Sequence, residues 1–172
     1  MPRSLTTQEI GPLVAQLLSH IPDPVQGLPE EVFHLVSRIT PMVNVDLLIQ
    51  DGNGRTLLTW RDDGFFPAGW HVPGGIIRFS ETLASRIHTV AKRELGVEVE
   101  FGKEPVAMHE IFHPSRNERG HFISFLFRCK ILNSPDESLR FKRGNPKSGE
   151  WSWHNGCPDG LIPVHQIYRE FM

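Results

Sequence analysis

Cysteine is scarce in this sequence: Cys129 and Cys157 are the only two among 172 residues. They match no metal-ligand spacing and build no disulfide framework, so a reducing compartment is the simplest setting. Long apolar runs are missing too. No stretch approaches the roughly 18 apolar residues of a membrane-spanning helix. Met1 to Ser19 lacks the charged start and apolar run of a signal peptide. A cytoplasmic protein without a membrane partner is therefore expected. A surplus of charge is the third absence. Lys plus Arg is 18 against 20 for Asp plus Glu, a net charge of −2. Dedicated nucleic-acid and membrane-surface binders carry a basic excess, so neither class is expected.

What is present reads as one globular unit. Hydrophobic residues are 39% and charged residues 22%, which speaks against disorder. The 15 Gly and 14 Pro imply many turns, and 9 His is more than a bland domain needs. Residues 1–40 read as a helical extension. Thr7 is placed to cap a helix with Ile10, Leu13, Val14, Leu17 and Leu18 at helical spacing. Pro29, in the first turn, opens a second helix that Pro41 closes. Packing or a homodimer surface explains these helices better than catalysis does. Residues 41–172 form the main domain. Val43 to Ile49 and Thr56 to Trp60 are strands around the hairpin turn Asp51-Gly52-Asn53-Gly54. Trp70-His71-Val72-Pro73-Gly74-Gly75 leads to a helix from about Glu81 to Leu95, ended by Gly96. Strands follow at Val97–Phe101, Met108–Phe112, His121–Leu132 and Trp151–Trp153, with a final helix over Val164–Met172. This order is an α/β layered domain.

The central helix carries an anomaly. At 100° per residue, Glu94 falls about 20° from Ile87, within the arc of Leu83, Val90, Ala91 and Leu95. A carboxylate aimed at a core is costly unless it is neutral, paired or bound to metal. A helix-end Glu reaching back to solvent is the competing explanation. Two glycines just upstream let backbone carbonyls approach a ligand. Glu94 and such a carbonyl would seat a hard cation, which prefers oxygen ligands, keeps waters and takes substrate phosphates.

These residues resemble the Nudix hydrolase signature: Gly75, Glu81, Ala91, Glu94, Gly96 and Val97 stand at its spacings. Thr89 and Val90 replace its Arg-Glu pair, and Arg93 replaces the first of its paired glutamates. The hairpin, the Trp-x-Val-Pro-Gly-Gly lead-in and the terminal Trp pattern extend the likeness over about residues 30 to 172. The resemblance implies a Nudix-type α/β/α sandwich with a mixed sheet. Its thinned motif, ending Arg93-Glu94-Leu95-Gly96, is similar to the GDP-mannose mannosyl hydrolase branch. That branch implies one Mg²⁺ (or Mn²⁺), a nucleotide-sugar substrate such as GDP-mannose or GDP-glucose, and attack at the anomeric carbon to give GDP and sugar.

By the same resemblance, Gly74 and Glu94 are the metal ligands, Asp46 is the strand aspartate and Arg61 contacts the diphosphate. His121 is the general base, with Glu118 its rival. Ile76 stands where a second diphosphate arginine is expected, and Arg78 is the substitute. Trp70 and Trp153 would stack on a base or pack in the core. His109 and His113 are ligand contacts or surface polar groups. Arg140, Lys142, Arg143 and Lys147 are a phosphate-attracting cluster or a solvated loop. The lost glutamates leave two other readings open, an ordinary Nudix pyrophosphohydrolase attacking phosphorus and a non-catalytic nucleotide-binding module.

Overall fold

The structure is a computed structural model that describes residues 6–64 and 66–172; residues 1–5 of the expected extension lie outside these. Helix α1 spans Thr7–Ser19, and its cap is Thr6 rather than Thr7. The reason is local. Glu9 lies three residues after Thr6 and completes a capping box, accepting from the Thr6 N–H at 2.8 Å, whereas the residue three after Thr7 is Ile10. Helix α2 spans Glu30–Ile39, and Pro29 stands at its cap, one position earlier than expected. Helix α1 buries none of its residues, leaving Ile10, Leu13, Val14 and Leu18 exposed.

Strands β1 (Met42–Ile49), β2 (Thr56–Arg61), β3 (Gly69–His71) and β4 (Gly74–Ile76) come next. The last two occupy the lead-in to the central helix, residues 70–75. Both are only three residues long, too short for any hydrophobic period to show. Helix α3 (Leu83–Val90) runs into a wider π-type turn over Ala91–Leu95. Gly96 ends it in the left-handed region, at φ 68°, which glycine alone adopts without strain. Strands β5 (Val99–Phe101), β6 (Ala107–Phe112), β7 (His121–Ile131) and β8 (Trp151–His154) follow. The chain ends in the expected terminal helix, of 3₁₀ type over Pro163–Phe171.

The strands form two sheets. The larger has the order β4-β1-β7-β5, and β6 pairs with another stretch of the long β7. Strands β1 and β7 are parallel and the other pairs antiparallel, so the sheet is mixed. The smaller sheet is β3-β2-β8. Central strand β1 is buried on both faces, and alternate residues serve different cores. Val45, Leu47 and Ile49 pack with Ile87, Val90, Ala91 and Leu95 of the central helix. Leu48 packs with Leu58, Trp70, Val72, Leu126 and Tyr168 on the other side. Asp46 shares the Leu48 side, which places a carboxylate deep in the molecule. Helices around a mixed sheet give the expected α/β class. No helix among the described residues is long and apolar enough to cross a membrane.

Candidate active site

Asp46 is the buried anchor of the site, 1% exposed. Its carboxylate accepts from the Tyr168 hydroxyl at 2.5 Å, from the Asn44 amide at 2.9 Å and from the Ser124 hydroxyl. Burial raises the Asp46 pKa above the usual carboxylate value, while the bonds from Ser124, Tyr168 and Asn44 pull the other way. Across the ladder Asp46 faces Gly74. A Cβ on Gly74 would lie 2.9 Å from the Val45 carbonyl oxygen and closer still to Asp46 Oδ1. The buried carboxylate therefore fills the space that a side chain on β4 would need.

Glu94 reaches the same place from the helix. Its Oε1 accepts from the Gly74 N–H at 3.3 Å, and its Oε2 lies 3.3 Å from Thr59 Oγ1 and 3.4 Å from His71 Nε2. The π-type turn explains how a residue within the apolar arc reaches a polar site. Widening the backbone there keeps Ala91 and Leu95 buried while Glu94 turns toward the glycine loop, a recurrent use of π-bulges. His71 is itself held from behind, its Nδ1 donating to the Thr59 carbonyl at 2.8 Å. Glu81 is committed elsewhere, in a half-buried pair with Arg86 at 2.8 Å from Nε. Arg93 is exposed. Glu94 is thus the signature carboxylate at the glycine loop.

Asp46, His71 and Gly74 line a cleft of about 240 Å³, and Glu94 stands behind that lining, in contact with Gly74 and His71. Asp46, Arg61, His71, Gly74, Arg119 and His165 supply its polar lining, and Phe66, Ile76, Ile111 and Phe122 an apolar wall. Arg61 bonds Asp63 at 2.7 Å through Nε. Burial, and then the neighbouring Arg61 cation, pulls the Arg119 pKa below its ordinary value. Two guanidiniums sharing one cleft repel each other and favour an anion between them.

The structure brings Asp46, Arg61, Gly74 and Glu94 together and places the other sequence-derived residues elsewhere. His121 lies outside the cleft, its Nε2 2.9 Å from Glu110 Oε1, in a separate depression with Ser37, Thr40 and Phe112. Glu118 faces helix α2, 3.0 Å from His34 Nδ1 and 3.4 Å from Arg38 Nε. Arg78 turns to the N-terminal segment and donates to the Val25 carbonyl at 3.0 Å. Trp70 is 7% exposed and packs edge-on against Trp60 and His154, at 5.2 and 4.5 Å between ring centres, so its role is core packing. His113 sits beyond the cleft lining with its ring 6.1 Å from Phe66. Trp153 packs against the first core and carries the Arg55 guanidinium 5.9 Å above its ring. Arg140, Lys142, Arg143 and Lys147 are exposed, as a solvated loop would be.

Sequence reasoning missed Arg119, Phe66, His71 and His165. Arg119 and Phe66 sit on loops, where no periodicity points inward. His71 had a signal in its place within the glycine lead-in, and His165 in its three-residue spacing from Tyr168.

A divalent cation is the group such a site calls for. Glu94 and Gly74 offer oxygen donors where no side chain on residue 74 intrudes. No cluster of three or more His, Cys, Asp or Glu forms among the described residues. A hard cation that keeps waters and takes substrate phosphates fits so sparse a set.

Known proteins resemble this chain in sequence and in fold. The NUDIX domain family model matches residues 40–155. The low-salt glycan biosynthesis protein Agl8 of Haloferax volcanii is 30% identical over 112 residues, 63% of this chain and 70% of that protein. The ADP-ribose pyrophosphatase of Methanocaldococcus jannaschii is 26% identical over 133 residues, 77% of this chain and 73% of that protein. The crystal structure of a MutT protein from Methanosarcina mazei superposes with a TM-score of 0.57 at 18% identity, covering 77% of this chain and 91% of that one. With the family model spanning most of its length and Glu94 bonded to the glycine loop that lines the cleft, this chain belongs to the Nudix hydrolase family.

Proposed function

We propose that the chain is a Mg²⁺-dependent hydrolase of a nucleoside diphosphate derivative, most like a GDP-sugar, cleaved at the anomeric carbon to GDP and free sugar. The observation that carries this reading is that Glu94 is the one glutamate of the signature helix bonded to the Gly74 loop. A site with one glutamate suits one cation bound together with substrate phosphates, and Mn²⁺ would serve in place of Mg²⁺. Gly74 and Glu94 would hold the ion, which supplies Lewis-acid stabilisation of charge on the departing diphosphate. Arg61 and Arg119 pair with phosphate oxygens and offset the same charge. Asp46 holds the glycine loop in register through Asn44, Ser124 and Tyr168. Phe66 and the apolar wall cover one side of the ligand. Water oxygen bonds to the anomeric carbon as the carbon–oxygen bond to phosphate breaks, its electron pair goes to the diphosphate, and the proton of water passes to solvent. The similarity to Agl8, a glycan biosynthesis protein by name, supports a sugar-bearing substrate. A cytoplasmic homodimer, using the exposed apolar residues of α1, belongs to the same reading.

Phosphorus attack is the second reading, favoured by the named activity of the M. jannaschii relative. Hydrolysis in ¹⁸O-water separates the two. The expected result is label in the sugar and none in the nucleotide; label in the phosphate overturns carbon attack. No turnover of any nucleoside diphosphate derivative would leave a ligand-binding module.

The placement of His121 yields another expectation. His121→Ala should change kcat by no more than about threefold, under about 1 kcal/mol of barrier, because the ring lies outside the cleft. A loss of a hundredfold or more in steady-state assays would return it to the role of base.

A further inference from the structure

His165 is a buried histidine to which the reaction above gives no task. It sits on the C-terminal 3₁₀ helix, three residues before Tyr168, and lines the cleft beside Arg61, His71 and Arg119. It is 7% exposed. Its Nδ1 lies 2.9 Å from the backbone nitrogen of Val72. That amide can only donate, so Nδ1 accepts and carries no proton, and the neutral ring bears its proton on Nε2. Protonating Nδ1 would set two donors face to face and leave the buried Val72 amide without an acceptor. Burial, then the positive potential from His71 and Arg61, holds the imidazole well below its ordinary pKa. The charged and titratable groups around it are His71 on β3, with ring centres 6.0 Å apart, Tyr168 on its own helix at 5.4 Å, Arg61, Arg119, and Asp46 behind Tyr168. Its Nε2 has no hydrogen-bond partner among the described residues.

We infer that His165 is a fixed neutral donor whose Nε2–H binds a phosphate oxygen of the ligand in this cleft. This rests on the diphosphate reading proposed above. The acceptor is assigned to phosphate because the donor lines the same cleft as both guanidiniums. A third cation beside Arg61 and Arg119 would add to their repulsion, whereas a neutral N–H adds a directed bond without charge. Tertiary structure elsewhere uses the same device, a histidine kept neutral so that it donates toward a developing negative charge. His165 is consequently no general base, since Nε2 has no lone pair to accept a proton.

The test uses the full chain with ¹⁵N-labelled histidine, and Mg²⁺ with inorganic diphosphate as the probe. Long-range ¹H–¹⁵N spectra between about pH 5.5 and 8 should show the Nε2–H tautomer of His165 throughout, and its Hε2 resonance should move on adding the probe. Calorimetry should give a Kd weakened about tenfold or more in His165→Leu, the scale of a hydrogen bond to a charged group. His165→Gln, whose amide both accepts and donates, should stay within about threefold of the parent. An Nδ1–H tautomer, an imidazolium in the free protein, or an Hε2 resonance unmoved at saturating diphosphate overturns the inference alone. Failure of the parent protein to bind diphosphate overturns it together with the reading it rests on.

Discussion

Glu94→Gln should abolish metal-dependent turnover while leaving the fold intact. The amide keeps an oxygen able to accept from the Gly74 N–H, which Glu94 now bonds at 3.3 Å, and the side chain is 27% exposed, so little packing changes. What is lost is the negative charge. The substitution removes the carboxylate at the glycine loop, and no cluster of metal-binding side chains among the described residues stands in reserve. The expected fall in kcat is roughly a thousandfold or more, about 4 kcal/mol of barrier. Titration with Mg²⁺ or Mn²⁺ should show weakened metal affinity, with a thermal midpoint in metal-free buffer close to that of the parent. Turnover within tenfold of the parent would remove Glu94 from the metal site and the single-glutamate argument with it.

Gly74→Ala should be the most damaging single-methyl change in the cleft. The new Cβ would stand 2.9 Å from the Val45 carbonyl oxygen and nearer still to Asp46 Oδ1. Neither neighbour yields easily. One is backbone of the central strand, and the other is a carboxylate held by Tyr168, Asn44 and Ser124. Overpacking of this kind costs about 3 kcal/mol or more, and in a chain of this size each kcal/mol lowers the thermal midpoint by about 2–4 °C. A fall of roughly 6–12 °C is expected, with weakened metal binding because the loop must move away from Glu94. Gly52→Ala is the control, since a Cβ there meets nothing within 4 Å. Equal midpoints for the two variants would show that the β1–β4 ladder relaxes freely and that Asp46 does not fix the loop.

Both predictions concern residues visible in the sequence, and the reason is that their chemistry is local. The spacing from Gly75 through Glu81 to Glu94 and Gly96 follows one loop and one helix, so chain distance and spatial distance agree. Gly96 was readable as a helix end because a positive φ singles out glycine. The strands β1, β2 and β7 were readable because they are long enough for apolar patterning to show. The short strands β3 and β4 were not, and they exist because β1 and β2 lie beside them.

The residues carried over on resemblance alone divided according to which partner claimed them. Arg61 stayed at the cleft because it ends β2. Arg78 went to the Val25 carbonyl, Glu118 to His34 and Arg38, and His121 to Glu110. No chain-local signal says which of several nearby partners a long polar side chain will choose. Arg119 and His165 reach the cleft for the complementary reason. One lies on the loop before β7 and the other on the last helix, and only folding sets them beside β1 and β3.

By itself, then, the sequence determined the α/β class, the glycine loop and the carboxylate that faces it, since each follows from periodicity or from the backbone freedom of a single residue. Its lack of a net positive charge also required that any anion be bound by a few placed groups. The tertiary structure decided which groups those are. Asp46 is anchored by Tyr168, 122 positions along the chain. His165 is fixed by Val72, 93 positions away. Contacts at such separations arise from how the sheets and the terminal helix pack, and no local pattern along the chain encodes them.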